Sequence, residues 1–238
     1  SEMCIRDRSY HEAMELSHFG AKVIYPPTLQ PVAEKNIPVV VKNTFQPDEP
    51  GTFISKESAS NGEVVRGISY IENIALLTLE GSGMVGIPGY SKKLLSTLAK
   101  AKINVIMMTQ ASSEHSICIG IGNDLAIYAK KLIEKDFDYE IETQRINPIS
   151  IENNLSIIAL VGEKMKSFQG ISGKMFSALG RNNVNVKAIA QGASERNITA
   201  VIDSANTKQA LNILHEAFFE EDIKPVSYTH LRAHETSL

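Results

Sequence analysis

The chain has 238 residues, of which 43% are hydrophobic and 21% charged, and its net charge is −3. This is the composition of a soluble globular protein of one to three domains, with no basic field for nucleic acid, no apolar run of the roughly 18 residues that span a membrane, and no secretory signal. Its two cysteines, Cys4 and Cys118, lack metal-ligand spacing and give no disulfide framework, which fits a reducing cytoplasm.

Residues 1–8 have no periodicity and join abruptly to a patterned segment. Residues 227–238 are equally patternless, and both ends read as translated sequencing-adaptor scars outside the fold. Cys4, His230 and His234 then carry no chemistry. Residues 9–55 form a first region. Positions 11–19 have helical spacing, with an apolar stripe of Ala13, Met14, Leu16 and Phe19, and Gly20 ends the helix. Residues 23–25 read as a short strand closed by Pro26 and Pro27. Residues 31–35 make one or two helical turns, and 37–41 a β-branched strand with a turn at Asn43. Residues 46–66 are polar and carry Pro47, Pro50, Gly51 and Gly62, with one short strand at 52–55; the linker proper is 56–67.

An internal repeat follows. Residues 75–118 align without a gap on 156–199 at an offset of 81, the separation of Gln110 and Gln191, and fourteen of the forty-four positions are identical. The matches include Gly81 with Gly162, Met84 with Met165, Gly89 with Gly170, Asn104 with Asn185, and Glu114 with Glu195. Each copy reads as an apolar strand (74–79; 155–161), a glycine-containing loop and a helix (89–100; 170–181). A strand (103–108; 184–189), a tight turn, a strand (116–121; 197–202) and a second helix (125–135; 209–219) complete it. With one further strand the order is βαββαβ. The fold class is therefore α+β, with two tandem ferredoxin-like units over 68–148 and 149–226. The fourth strand of the first unit is expected within 139–151. That of the second is expected near Ile223, where the patternless end cuts it off. Pairing of the units edge to edge would remove two exposed edges.

No catalytic constellation is complete, and no metal cluster stands out. Gly81-Ser82-Gly83 lacks the spacing and the lysine of a phosphate loop and reads as a strand-to-helix turn. The N–H groups at the helix start near Pro88 and Gly89, and again near Gly170, are unpaired and partly positive, which suits a small carboxylate. Gln110 and Gln191 end their strands. A primary amide both donates and accepts, so each suits a ligand bearing an ammonium and a carboxylate, or else satisfies the turn backbone. Asn104 and Asn185 precede strands and read as turn formers.

The segments VIMMTQASSEHS at 105–116 and VKAIAQGASER at 186–196 resemble the tandem ACT domains of aspartate kinases. Independently, EAMELSHFGAKVIYP at 12–26 and IPVVVKNTF at 37–45, followed by Pro50-Gly51-Thr52, resemble the end of the kinase catalytic domain. The helix at 206–220 is similar to the one leading into the dehydrogenase of bifunctional aspartokinase/homoserine dehydrogenases. The resemblance covers residues 9–225 and implies that 9–55 is the remnant of an α/β amino-acid-kinase domain. It implies a parent enzyme that phosphorylates aspartate with ATP and magnesium, and NAD(P) for a dehydrogenase domain beyond this chain. No cofactor is expected on these residues themselves, and without the kinase's amino-terminal lysine and glycine motifs no turnover of aspartate is expected. Lys22 matches a lysine at the family's nucleotide site, where it would neutralise phosphate charge. Tyr25 and Pro27 depart from the commoner His and Arg, so no role carries over there. In the bifunctional members threonine binds one site per ACT copy, which maps to Met108, Thr109 and Gln110, and to Ile189, Ala190 and Gln191. The resemblance further implies feedback inhibition by a small amino acid and a homo-oligomer joined through the ACT domains, with no nucleic-acid or membrane partner. Two alternatives stand beside threonine: lysine, as in monofunctional aspartate kinases, and a catalytic fragment that keeps nucleotide affinity through Lys22.

Overall fold

The computed structural model describes residues 7–19, 24–56, 64–110, 115–165, 168–192 and 196–220. It is an α+β protein with two sheets. The smaller sheet has the order β1-β3-β2, made of β1 (Arg8–Ser9), β2 (Val39–Val41) and β3 (Thr52–Ser55); β1 runs parallel and β2 antiparallel to β3. Helices α1 (Tyr10–His18) and α2 (Pro26–Glu34) share a core with it through Tyr10, Ala13, Leu29 and Ile54. Ser9 opens α1 with a capping box. Its hydroxyl accepts the Glu12 N–H at 3.1 Å, and the Glu12 carboxylate accepts the Ser9 N–H at 3.0 Å.

Three expectations are corrected in this region. Arg8, assigned to the patternless opening, is buried in β1, and its Nη1 donates to the Arg66 carbonyl at 3.2 Å. A two-residue strand pairs through its backbone and leaves no side-chain period to read. Pro26 and Pro27 open α2 instead of closing a strand, because the first turn of a helix needs no N–H from them; Val23 lies outside the described residues. Val64 and Val65, placed in the linker, are 2% and 4% exposed and belong to the core of the second unit.

The larger sheet has six strands in the order β5-β6-β4-β7-β9-β8, every neighbouring pair antiparallel. These are β4 (Gly67–Glu80), β5 (Met107–Gln110), β6 (Ser116–Gly122), β7 (Ser150–Val161), β8 (Val186–Gln191) and β9 (Asn197–Asp203). Unit 1 adds α3 (Tyr90–Lys100), α4 (Ala126–Asp136) and the short α5 (Asp138–Glu142). Unit 2 adds α6 (Ile171–Arg181) and α7 (Thr207–His215), which runs into a π turn at Glu216–Glu220. The offset of 81 recurs in the backbone. Asn73 and Asn154 both sit at φ +59°, Lys102 and Asn183 at +57° and +59°, and Gly89 and Gly170 at +111° and +86°.

The two units are interleaved through their central strands. The second half of β4 is the first strand of unit 1, and Leu76, Leu77 and Thr78 pair there with Glu152, Ile151 and Ser150. The second half of β7 is the first strand of unit 2, and Val161 to Ile157 pair with Gly67 to Ile71. Each unit thus receives its fourth strand from the lead-in to the other. This corrects two expectations. The fourth strand of unit 1 is the start of β7, and α5 takes up part of the segment where it was expected. The place beside the first strand of unit 2 is filled by residues 67–71; the region around Ile223 lies outside the described residues. Register shifts between Ile71 and Leu76 let β4 change partners midway, with Asn73 supplying the left-handed residue.

Alternation along these strands splits the apolar residues between two faces. Leu77, Leu79, Ile117, Ile119 and Ile121 pack with Leu94, Leu98, Ile133 and Phe137 of unit 1. Ile158, Leu160, Ile198 and Ile202 pack with Met175, Leu179 and Leu214 of unit 2. The opposite face gathers Ile74, Leu76, Met107, Leu155, Ile157 and Val201, with Leu16 and Phe19 of α1 against it. The sheet curls enough to bring its edge strands β5 and β8 towards each other. Among the described residues no helix is long and apolar enough to cross a membrane.

The strand-to-helix turns leave no room for a side chain. A Cβ at Gly81 would collide with the Arg145 carbonyl, and one at Gly162 with the Val64 carbonyl, a pair of contacts again 81 residues apart. Gly180, late in α6, has nothing within 4 Å of the corresponding position. Gly162→Ala is therefore expected to cost about 1–3 kcal/mol, and Gly180→Ala to gain about 0.5–1 kcal/mol. Urea denaturation of the two variants checks the opposite signs.

Candidate functional site

The site forms where unit 1 passes from its first strand to its first helix. After β4 the chain makes a 3-10 turn at Ser82–Met84, then runs through Ile87 and Pro88 to Gly89, whose left-handed φ aims α3 back across the sheet. Gly89 gives α3 no side-chain cap, so the first-turn N–H groups of Tyr90 and its neighbours face outward. Opposite stands Gln110, at the end of edge strand β5. Between them lies a cavity of about 270 Å³ lined by Met84, Gly86, Ile87, Pro88, Gly89, Tyr90, Ser91, Gln110 and Ile117.

Three residues singled out from sequence, Pro88, Gly89 and Gln110, therefore converge on one cavity. Ser91 Oγ lies 3.4 Å from Gln110 Oε1 and ties the helix start to the strand end. The Tyr90 hydroxyl donates to the Gly83 carbonyl at 3.2 Å, which folds the loop over its own helix. Met84, Ile87 and Ile117 supply apolar walls. Among the described residues no lining side chain carries a charge, so the field they set in the cavity comes from the partial positive end of α3 and from amide and hydroxyl dipoles. Such a site can seat a carboxylate on the helix start and a small polar group on the Gln110 amide.

The remaining sequence candidates lie elsewhere. Met108 packs against the unit 1 core, and Thr109 is half-buried on β5. In unit 2, Ile189 is exposed on β8, Ala190 gives its carbonyl to the Thr199 hydroxyl at 2.7 Å, and Gln191 is exposed at the strand end. Gly170 repeats the left-handed opening of Gly89, again without a side-chain cap. Around it Phe168, Gln169 and Ile171 replace Ile87, Pro88 and Tyr90, which changes both the walls and the hydroxyl of that position. Asn104 and Asn185 are exposed, as turn residues are. Lys22, Glu114 and Glu195 lie outside the described residues. Met84, Ile87, Tyr90, Ser91 and Ile117 were not singled out from sequence. The only hint was the mismatch between copies at 87, 88 and 90. Burial pushes the Cys118 thiol up, as does Glu152, against a hydrogen bond from Thr78; this leaves it a protonated, unreactive group on β6.

The sequence model of the ACT domain family matches residues 77–137 and 158–218. A bifunctional aspartokinase/homoserine dehydrogenase of Haemophilus influenzae is 42% identical over 211 residues, which is 89% of this chain and 26% of that protein. The aspartate kinase of Clostridium acetobutylicum superposes with a TM-score of 0.80 at 29% identity, over 90% of this chain and 48% of that one. Aspartokinase III of E. coli in complex with lysine and aspartate superposes with a TM-score of 0.70 at 26% identity, over 90% and 46% of the two chains. The chain spans about a quarter of the length of the curated relatives it matches. It belongs to the aspartate kinase family, of which it carries the paired ACT domains of the regulatory region.

Proposed function

We propose that this region senses threonine and that the amino acid binds in the unit 1 cavity, against Gln110 and the start of α3. The observation that carries the reading is the convergence of an uncapped helix start and a strand-end amide on a cavity whose described lining residues are uncharged. The α-carboxylate sits on the first-turn N–H groups, and the hydroxyl and ammonium share the Gln110 amide, Ser91 and backbone carbonyls. At about 270 Å³ the cavity lies below the about 300–1,000 Å³ of drug-sized ligand pockets and suits a single amino acid better than a nucleotide. The complex of E. coli aspartokinase III with lysine keeps a second reading alive. Against it, a lysine side chain would need an anion, and the lining holds none among the described residues.

On this reading the parent protein phosphorylates aspartate with ATP and magnesium, its joined dehydrogenase uses NAD(P), and threonine feeds back on the kinase from these domains. Pairing of copies through the ACT domains and a cytoplasmic setting belong to the same proposal. Calorimetric titration of the chain is expected to show threonine binding more tightly than lysine. Gln110→Ala should weaken it by about 1–3 kcal/mol, because ligand groups are left unpaired. Gln191→Ala measures the share of unit 2. Unchanged threonine affinity in both variants, or a preference for lysine, would overturn the reading.

A further inference from the structure

The cavity wall is one side of a closed ring of contacts that runs through three helices. The Tyr90 hydroxyl donates to the Gly83 carbonyl at 3.2 Å, and the Gly83 N–H donates to the Arg145 carbonyl at 2.9 Å. The Arg145 N–H returns to the Glu140 carbonyl at 2.9 Å. The Glu140 carboxylate takes the Lys93 ammonium at 2.7 Å, and that ammonium also stands over the Phe137 ring, 4.4 Å from its centroid. Phe137 stacks on Tyr90 at 6.0 Å between centroids and 14° between planes, which closes the ring. Burial opposes ionisation of Glu140, but the Lys93 hydrogen bond, aided by the residue's own backbone and by Arg145, outweighs it and holds the carboxyl below its ordinary range. The carboxylate is therefore charged, and the pair is intact, at neutral pH.

Among the described residues unit 2 repeats only part of this. Lys174 stands over Phe218 at 5.3 Å, as Lys93 does over Phe137, but Ile171 stands where Tyr90 is. With no hydroxyl at that position, the link from helix start to loop is missing.

We infer that Lys93 and Glu140 are positioning residues of the unit 1 cavity: through Phe137, Tyr90 and Arg145 they hold the loop at 81–91 open in the shape that receives the effector. They touch no ligand and act by fixing the wall that does. A loop of small and glycine residues gains affinity when its bound shape is set beforehand, because less ordering remains to be done on binding. The naming of threonine as the ligand rests on the reading above; the ring itself does not.

The test uses the full chain and two measurements. Lys93→Met is expected to weaken threonine binding about tenfold by calorimetry. It should also speed amide exchange at 81–91 in ligand-free protein. Lys93→Arg, which keeps the charge and the stacking, should stay within about twofold of wild type. Lys174→Met, the same deletion in unit 2, should leave both measurements of unit 1 unchanged. Glu140→Gln breaks the pair from its carboxylate side and serves if Lys93→Met does not fold. Faster exchange at 81–91 with weaker binding supports the inference. Unchanged exchange and affinity in Lys93→Met and Glu140→Gln overturn it, as does an equal loss in Lys174→Met, which would make the cation a general stabiliser. If wild-type chain binds no threonine, the effector reading fails, and the exchange measurement still decides the ring.

Discussion

Arg66→Met is expected to cost about 3–5 kcal/mol of stability, the loss that follows when one partner of a buried ion pair is removed. Arg66 leads into β4, where its N–H donates to the Val161 carbonyl at 2.8 Å. Its Nε lies 3.7 Å from Glu12 Oε1, and the two side chains are 5% and 3% exposed. A further guanidinium nitrogen donates to the Asp7 carbonyl. Glu12 is equally committed, holding the Ser9 N–H in the α1 capping box and standing 3.5 Å from the Glu163 N–H of the unit 2 turn. Without the guanidinium, a buried carboxylate keeps only those two amides among the described residues. The double replacement Glu12→Leu with Arg66→Met is expected to be less damaging than Arg66→Met alone, since it leaves no charge behind. Urea midpoints, compared at equal slope, check both statements. A loss under about 1 kcal/mol in Arg66→Met would show that water reaches the carboxylate.

The second large effect is expected at Phe137. It is fully buried at the end of α4, packs with Leu94, Leu98 and Ile133, and carries Tyr90 on its face. Phe137→Ala should cost about 3–5 kcal/mol, from lost transfer energy and from the cavity left by incomplete collapse. Phe137→Leu keeps most of the volume and should cost less than about 1.5 kcal/mol. Because the residue joins α3 to α4 and α5, the loss should appear first in the amides of unit 1. Denaturation with hydrogen exchange resolved by segment measures both the size and the place.

The repeat was legible in the sequence because it is written in backbone requirements as well as apolar residues. Gly89 and Gly170 open helices at positive φ, and Gly81 and Gly162 pass under a carbonyl; such positions leave little choice of residue. The interleaving was not legible. Residues 74–79 read as an apolar strand while Ser69, Glu72 and Asn73 interrupt the residues before them, and periodicity tells which face a residue takes but not which strand lies beside it. The first half of β4 was not read as a strand, and only the register shows that the two halves serve different units. The same limit applies at the cavity. Gln110 was found because a primary amide recurs at the same strand end in both copies and matches the effector position of the family the chain resembles. Met84, Ile87 and Ile117 were missed because an apolar wall residue and an apolar core residue look alike from sequence. Tyr90 carried a usable sign, a hydroxyl in one copy against isoleucine in the other, which was not used.

The shared central strands also set an order of events during synthesis. Residues 67–71 emerge from the ribosome first, and their partners at 157–161 emerge only after all the strands and helices of unit 1 between them. At about 5–20 residues per second, that strand waits several seconds for its neighbour. In that interval unit 1 has its first strand, its helices α3, α4 and α5 and its hairpin of β5 and β6 in hand, and needs only residues 150–152 to finish. Unit 2 has residues 67–71, the partner of its first strand, from the start and completes last, beside a module already folded. No single cut between the units leaves both whole: a break before β7 takes the closing strand from unit 1, and a start after β4 takes it from unit 2.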